Sequence, residues 1–507
     1  MALTRLPPEI LARVVEETMP DGFESFAVTC QAVYNSCQNF LTKHSRLRRL
    51  YHEFRYHGDG SLSDESACAS SFQLLLRIAD EPLIARYIVK ADLKRDAVPE
   101  DAKIVKAHIR QMTNSGKFLS LLKDSPYLEM AGVNPSSVVQ YLISQYTLDD
   151  GDAGLAVTLL LTLLHNVTEL TLPTCWSQLG DGPRDSLEGG NPMKIAPLLD
   201  AIIKHANDPQ RRNASLSKLT TILPHTAWGY ENREELTSFT PFLSITSMRN
   251  FSAGSCVAVD DGYTGIPFPK PEQETFGFGM EKIDLIGFCV DPVELRTFLL
   301  PMSRLQVFRM SYETKWHGCG HDWDATNTFD AIQEAVGNTL EELSFSALNC
   351  FGNIDAGITS MKKFTKLKDF EVDVKLLTRD GDDLSEVPRL GDLLPATIET
   401  LCLLAENFDD VTAELDHLLS KIAISRDERL PNLKTIEMRT FLVSVEDGSE
   451  TISTSEIQSP LPASNQKWKQ DLQALKPATI VRFVRTNDDT LPRFTSNFRR
   501  RYSVSDI

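Results

Sequence analysis

From Leu164 onward, one short apolar phrase keeps returning. It opens as Leu164-x-x-Val167-x-x-Leu170-x-Leu172. It recurs as Met280-x-x-Ile283-x-Leu285, Leu305-x-x-Phe308-x-Met310, Leu340-x-x-Leu343-x-Phe345, Leu367-x-x-Phe370-x-Val372, Ile398-x-x-Leu401-x-Leu403 and Leu433-x-x-Ile436-x-Met438. A slipped copy, Ile245-x-x-Met248-x-x-Phe251, precedes these. Along the central positions Met248, Ile283, Phe308, Leu343, Phe370, Leu401 and Ile436 the gaps are 35, 25, 35, 27, 31 and 35 residues. The last two apolar residues of each phrase are two apart, so on a strand they share one face, and the first packs the turn leading into it.

Between the copies lie amphipathic helical stretches: Ile195 to His205, Val293 to Leu300, Phe329 to Val336 and Val411 to Ile424. A strand plus a helix cannot bury its apolar side alone and must stack on its neighbours. The expected fold is therefore α/β, a curved parallel sheet lined outside by helices. A plain α/β domain of alternating strands and helices is the simpler alternative.

Upstream, Leu6, Ile10, Leu11, Val14 and Val15 recur at helical spacing, with Pro7 and Pro8 where a first turn tolerates a missing N–H. Pro20, Asp21 and Gly22 break that helix. Phe23, Phe26 and Ala27 then begin a second apolar stripe, and Ala32, Val33, Phe40 and Leu41 a third. Three helices this small bury little and should lean on the next segment or on a partner. A basic stretch from Lys43 to Arg55 and a polar linker from His57 to Ser66 come after them. Phe72 to Leu122 reads as helical, with another stripe at Val138, Val139, Leu142 and Ile143. The Gly- and Pro-rich inserts Gly180 to Pro192 and Asp260 to Gly279 read as surface loops. Glu446 to Asn465, rich in Ser, Thr, Pro and Glu, is expected to be mobile. Trp468, Leu472 and Leu475 fit a closing helix, and Ile480 to Val484 a last strand.

Composition narrows the function. With 42% hydrophobic and 24% charged residues over 507 positions the chain should fold, as two or three domains or one elongated array. Its net charge of −18 argues against nucleic acid and anionic membranes, which need a basic footprint. Nine cysteines, odd in number and without a Cys-x-x-Cys pair, are expected to be reduced and mostly buried. Pro7, Pro8 and several charges interrupt the start where a secretory signal needs an apolar run, and Leu155 to Leu164 is too short to span a bilayer. The expected location is cytoplasm or nucleus.

The leading Leu6-Pro7-Pro8-Glu9-Ile10-Leu11, a second helix, and Thr29-Cys30-Gln31-Ala32-Val33-Tyr34 together resemble the F-box, in the divergent form common in fungal proteins. Gln31 and Tyr34 depart from the usual Val-Cys-Arg-x-Trp. The apolar phrase, in turn, resembles the irregular leucine-rich repeats that follow F-boxes in fungal substrate receptors. The resemblance implies a five-part chain: F-box at 1–56, a helical linker or cap at 57–154, the repeat array at 155–445, a mobile acidic loop at 446–466, and a C-terminal cap with a basic tail at 467–507. It also implies a non-enzymatic substrate receptor. Leu6, Pro7, Pro8, Ile10, Leu11, Val14, Cys30, Val33 and Tyr34 would dock on a Skp-type adaptor, and through it on a cullin–RING ubiquitin ligase, while the array grips a protein target. The competing reading is a non-ligase scaffold whose first helices are a cap. No cofactor is implied.

One cluster carries potential chemistry of its own. Trp316-His317-Gly318-Cys319-Gly320-His321-Asp322-Trp323-Asp324 concentrates metal-ligand types within a few residues, His317, Cys319 and His321 foremost. Structural zinc uses two separated half-sites, and no second pair of ligands is found downstream, so a surface loop is the favoured reading over a metal-dependent hydrolase. The chain has no Gly-x-Ser-x-Gly, no Gly-x-x-x-x-Gly-Lys and no His-Glu-x-x-His.

Overall fold

The computed structural model describes the chain apart from residues 1–5, 59–66, 98–100, 115, 147–153, 175, 177–194, 212, 260–267, 269–275, 316–321, 379–383, 442–455, 460–465, 476–478, 487–491 and 496–507. It forms two compact units, Met1–His225 with Pro241–Met248, and Thr226–Thr240 with Arg249–Ile507. Among the described residues no helix is long and apolar enough to cross a membrane.

In the first unit, helices α1 (Pro8–Thr18), α2 (Phe23–Ala27) and α3 (Gln31–Tyr51) come first. They begin where the apolar stripes and prolines place them, but α3 runs on through the basic stretch. Four short strands, separated by further helices, belong to the same unit: β1 (Glu53–Arg55), β2 (Lys90–Asp92), β3 (Glu169–Thr171) and β4 (Thr221–Leu223). They pair parallel in that order. The strands β1 and β2 lie in stretches with no apolar alternation. Each is three residues long with a single buried position, Phe54 and Ala91, too little for a period of two to show.

The second unit contains β5 (Glu234–Glu235), β6 (Asn250–Gly254), β7 (Cys256–Ala258), β8 (Lys282–Val290), β9 (Val307–Glu313), β10 (Trp323–Asp324), β11 (Glu342–Asn349), β12 (Ile354–Asp355), β13 (Asp369–Asp373), β14 (Thr400–Leu404), β15 (Thr435–Phe441), β16 (Glu456–Ser459) and β17 (Ile480–Thr486). Its main sheet runs β6, β8, β9, β11, β13, β14, β15, β17 in space as in sequence, every pair parallel. The order never reverses, as expected of stacked strand–helix repeats rather than a doubly wound sheet with a switch point. Within the segment expected to be mobile, β16 pairs antiparallel with β17 and takes up the backbone hydrogen bonds of that edge.

The apolar phrase sets the register. Ile283, Phe308, Leu343, Phe370, Leu401 and Ile436 stand opposite one another across six strands, and Leu285, Met310, Phe345, Val372, Leu403 and Met438 form a second row two residues on. The slipped copy joins this ladder through Phe251, not Met248, because Phe251 is the residue opposite Ile283. The first apolar residue of each phrase, Met280 through Leu433, is fully buried. Both rows face the helices: Phe298 meets Phe251 at 6.5 Å between ring centroids, and Phe329 meets Phe345 at 5.5 Å and Phe370 at 6.3 Å. The stretch Val411 to Ile424 is two helices, Thr412–Leu418 and Ile422–Glu428, divided at Lys421, whose φ of 61° no continuous helix accommodates.

A backbone device absent from the apolar pattern repeats as well. At the start of β9, β11, β13, β14 and β15 two successive N–H groups converge on one carbonyl at the entry to the preceding strand. Gln306 and Val307 bond Glu281, Glu341 and Glu342 bond Gln306, Lys368 and Asp369 bond Glu341, Glu399 and Thr400 bond Lys368, and Lys434 and Thr435 bond Glu399. The first unit does the same at His52, Val89 and Thr168. Replacing Phe370 with Ala at the centre of the ladder should cost about 3–5 kcal/mol in denaturant unfolding of the full chain. Thr400→Ala, on the other sheet face and half-buried, should cost less than about 1 kcal/mol.

Candidate functional site

The residues expected to meet an adaptor divide by burial. Pro7, Pro8, Ile10, Cys30 and Tyr34 are exposed, Leu6 and Val14 are half-buried, and Leu11 and Val33 point inward. Leu11 and Val33 join Val15, Phe23, Ala27 and Cys37 among the buried residues of the three packed helices, where their side chains pack the helices together. Helical spacing explains the split: Ile10 and Val14 are four apart on one side of α1, Leu11 and Val15 on the next. Ile10 is 44% exposed, Tyr34 41% and Val28 79%. Val28 was not legible as a surface residue, since it sits just past a five-residue helix too short to define a face.

The three helices are fastened to the chain beyond them. His44 Nδ1 lies 2.7 Å from the Tyr87 hydroxyl, and the Phe23 ring stacks on His44 with centroids 4.5 Å apart. Burial favours the neutral His44 ring and pushes its pKa down, against the pull of Glu24, which raises it. Arg46 donates to Glu81 at 2.6 Å, and Lys43 pairs with the same carboxylate at 3.5 Å.

In the second unit, the sheet face opposite the apolar rows is polar. Its register row is Ser252, Asp284, Arg309, Ser344, Glu371, Cys402, Glu437 and Arg482, flanked two residues earlier by Lys282, Glu342 and Asp369. Charges pair along it: Lys282 to Asp284 at 3.0 Å, Arg309 to Glu342 at 2.7 Å, Arg309 to Asp284 at 3.6 Å. Burial raises the pKa of Asp284 and Asp369, while their cationic neighbours hold them down. Glu371 is 1% exposed, and one of its oxygens accepts from the Ser344 hydroxyl at 2.5 Å. Sequence reading placed these residues on strands but did not single them out, because each is an ordinary polar residue between two apolar ones.

Where β6, β8 and β9 end, a buried ammonium ties the sheet together. Lys315 Nζ donates to Glu313 Oε2 at 2.7 Å, Ser255 Oγ at 3.0 Å and the Gly229 carbonyl at 3.0 Å. Glu313 Oε2 also accepts from the Gly229 N–H at 2.9 Å. Burial pushes the Lys315 pKa down and Glu313 supports the charge; with all three protons donated, the nitrogen has no lone pair to act as a base. The approach demands Gly287, at φ 63°, since a Cβ there would stand 2.7 Å from Glu313 Oε2 and 2.9 Å from Trp228 Cβ. The same residue carries the bulge at which the β8–β9 register shifts.

A separate cavity of about 390 Å³ lies in the first unit, lined among others by Tyr127, His165, His205 and Arg211. Arg211 contacts His205 Nδ1 at 3.1 Å, and burial lowers the pKa of both histidines. His165 Nδ1 and Ser125 Oγ are buried there without a hydrogen-bond partner. These residues come from distant stretches, so no local motif marked them. Among the described residues no three His, Cys, Asp or Glu side chains gather into a metal cluster. His317, Cys319 and His321 lie outside the described residues. Cys30 is an exposed thiol and Cys37 a buried one.

Lys315→Met should cost about 3–5 kcal/mol, as it strands the Glu313 carboxylate. Adding Glu313→Leu should recover part of that loss but not all, because the Gly229 N–H then lacks its acceptor; denaturant unfolding of the wild type and both variants checks this. In comparison with known proteins, no family model matches this chain, and no curated protein sequence matches it significantly.

Proposed function

We propose that the chain is a non-catalytic substrate receptor of a ubiquitin ligase. In this reading α1–α3 form an F-box that docks on a Skp-type adaptor, and the stacked strand–helix units are irregular leucine-rich repeats whose polar sheet face receives a protein target. The observation that carries it is the coincidence of motif and exposure: Pro7, Pro8, Ile10 and Tyr34, which the F-box resemblance assigns to the adaptor, stay on the surface, leaving the Ile10 and Tyr34 side chains open to a partner. Such a receptor needs only to hold a target near a transferring enzyme, and raised effective concentration does the rest.

The scaffold reading has its own support, since His44, Arg46 and Lys43 bind the helices to Tyr87 and Glu81 as a cap would be bound. Surface substitutions separate the two. Ile10→Asp with Tyr34→Ala should reduce co-purification of a Skp-type adaptor at least tenfold while leaving thermal unfolding unchanged. Adaptor binding by neither the wild type nor this variant would favour the cap.

A further inference from the structure

The polar face of the second unit's sheet already holds a piece of the same chain. Pro492–Thr495 forms a turn, closed where the Thr495 hydroxyl donates to the Pro492 carbonyl at 2.6 Å. From it Arg493 spans both acids of β13: Nε donates to Glu371 Oε2 at 2.8 Å, Nη2 to Asp369 Oδ1 at 2.6 Å and Nη1 to Asp369 Oδ2 at 3.4 Å. The Arg493 backbone N–H also reaches Glu371 Oε2, at 3.2 Å. Phe494, 3% exposed, clusters with Ile286, Trp228 and Leu348.

The receiving side is built for this. Glu371 and Asp369 are two apart on one strand face, so their carboxylates sit side by side and repel unless a cation lies between them. Ser344 fixes the far oxygen of Glu371, which leaves the other to the guanidinium. Burial works against the Arg493 cation, but Glu371 and Asp369 outweigh it and hold its pKa above the usual arginine range. A planar fork satisfies both acids at once, and a lysine ammonium does not. The apolar shelf of Ile286, Trp228 and Leu348 takes the adjoining ring.

We propose that this face is a recognition site for an arginine followed by an aromatic residue in a partner protein, and that Pro492–Thr495 occupies it as an internal stand-in. The partner's status as a ubiquitylation target rests on the receptor reading; the arginine–aromatic site stands on the contacts alone. The tethered segment competes at high effective concentration, so a partner binds well only where the tail is displaced.

The test uses a fluorescein-labelled peptide with the sequence of residues 490–497 and full-length protein, read by fluorescence anisotropy. Arg493→Ala with Phe494→Ala should bind the peptide at least tenfold tighter than wild type. Phe494→Ala alone, which leaves the ion pairs in place, should fall between them. On the double variant, peptides carrying Arg493→Gln or Phe494→Ala should lose tenfold or more. Equal affinity of wild type and both variants, or an Arg493→Gln peptide binding as well as its parent, overturns the proposal. Adaptor co-purification from the same preparations reads the ligase function separately, so either idea can fail without the other.

Discussion

The ladder Ile283, Phe308, Leu343, Phe370, Leu401 and Ile436 determines where every polar residue of the second unit's main sheet points. Side chains alternate along a strand, so burying this row against the helices sends Asp284, Arg309, Ser344, Glu371 and Glu437 to the other face together. A one-residue slip in any strand would drive charge into the apolar layer. The paired N–H groups that meet one carbonyl at the entries of β8 to β15 in the main sheet oppose such a slip, because they fix where these strands begin relative to the one before. Apolar burial and backbone bonding thus specify the same register twice, and the charge pairs of the open face form as a consequence.

One end of that face depends on a different constraint. The Lys315 ammonium is worth little as an ion pair alone, since taking both charges out of water offsets most of their attraction. Its value lies in geometry. One nitrogen holds Glu313, Ser255 and Gly229, and Gly287 leaves the room for it. These contacts place Trp228, which shares the apolar shelf with Phe494.

Much of the α/β core was legible because its signal is periodic. Six of the seven central positions stand in one ladder, and the exception, Met248, failed because its phrase carried an extra residue and Phe251 took the place. Strands without alternation, such as β1 and β2, left no trace. The helix boundary at Lys421 depends on a single backbone angle, and nothing in the residue type announces it. The surfaces were harder. Leu11 and Ile10 are neighbours in one motif, yet only helix packing decides which is buried. Arg493 and Glu371 lie 122 residues apart, so their pairing has no local signature at all.

That separation bears on the order in which the molecule is made. Neighbouring strands of the sheet are joined by short lengths of chain, and stacked units can propagate from one to the next. Arg493 has no such route, for its acids exist as a pair only once β13 is in register between β11 and β14. The contact between Pro492–Thr495 and the sheet therefore follows the pairing of β13. Its presence marks a chain in which β11, β13 and β14 are already paired.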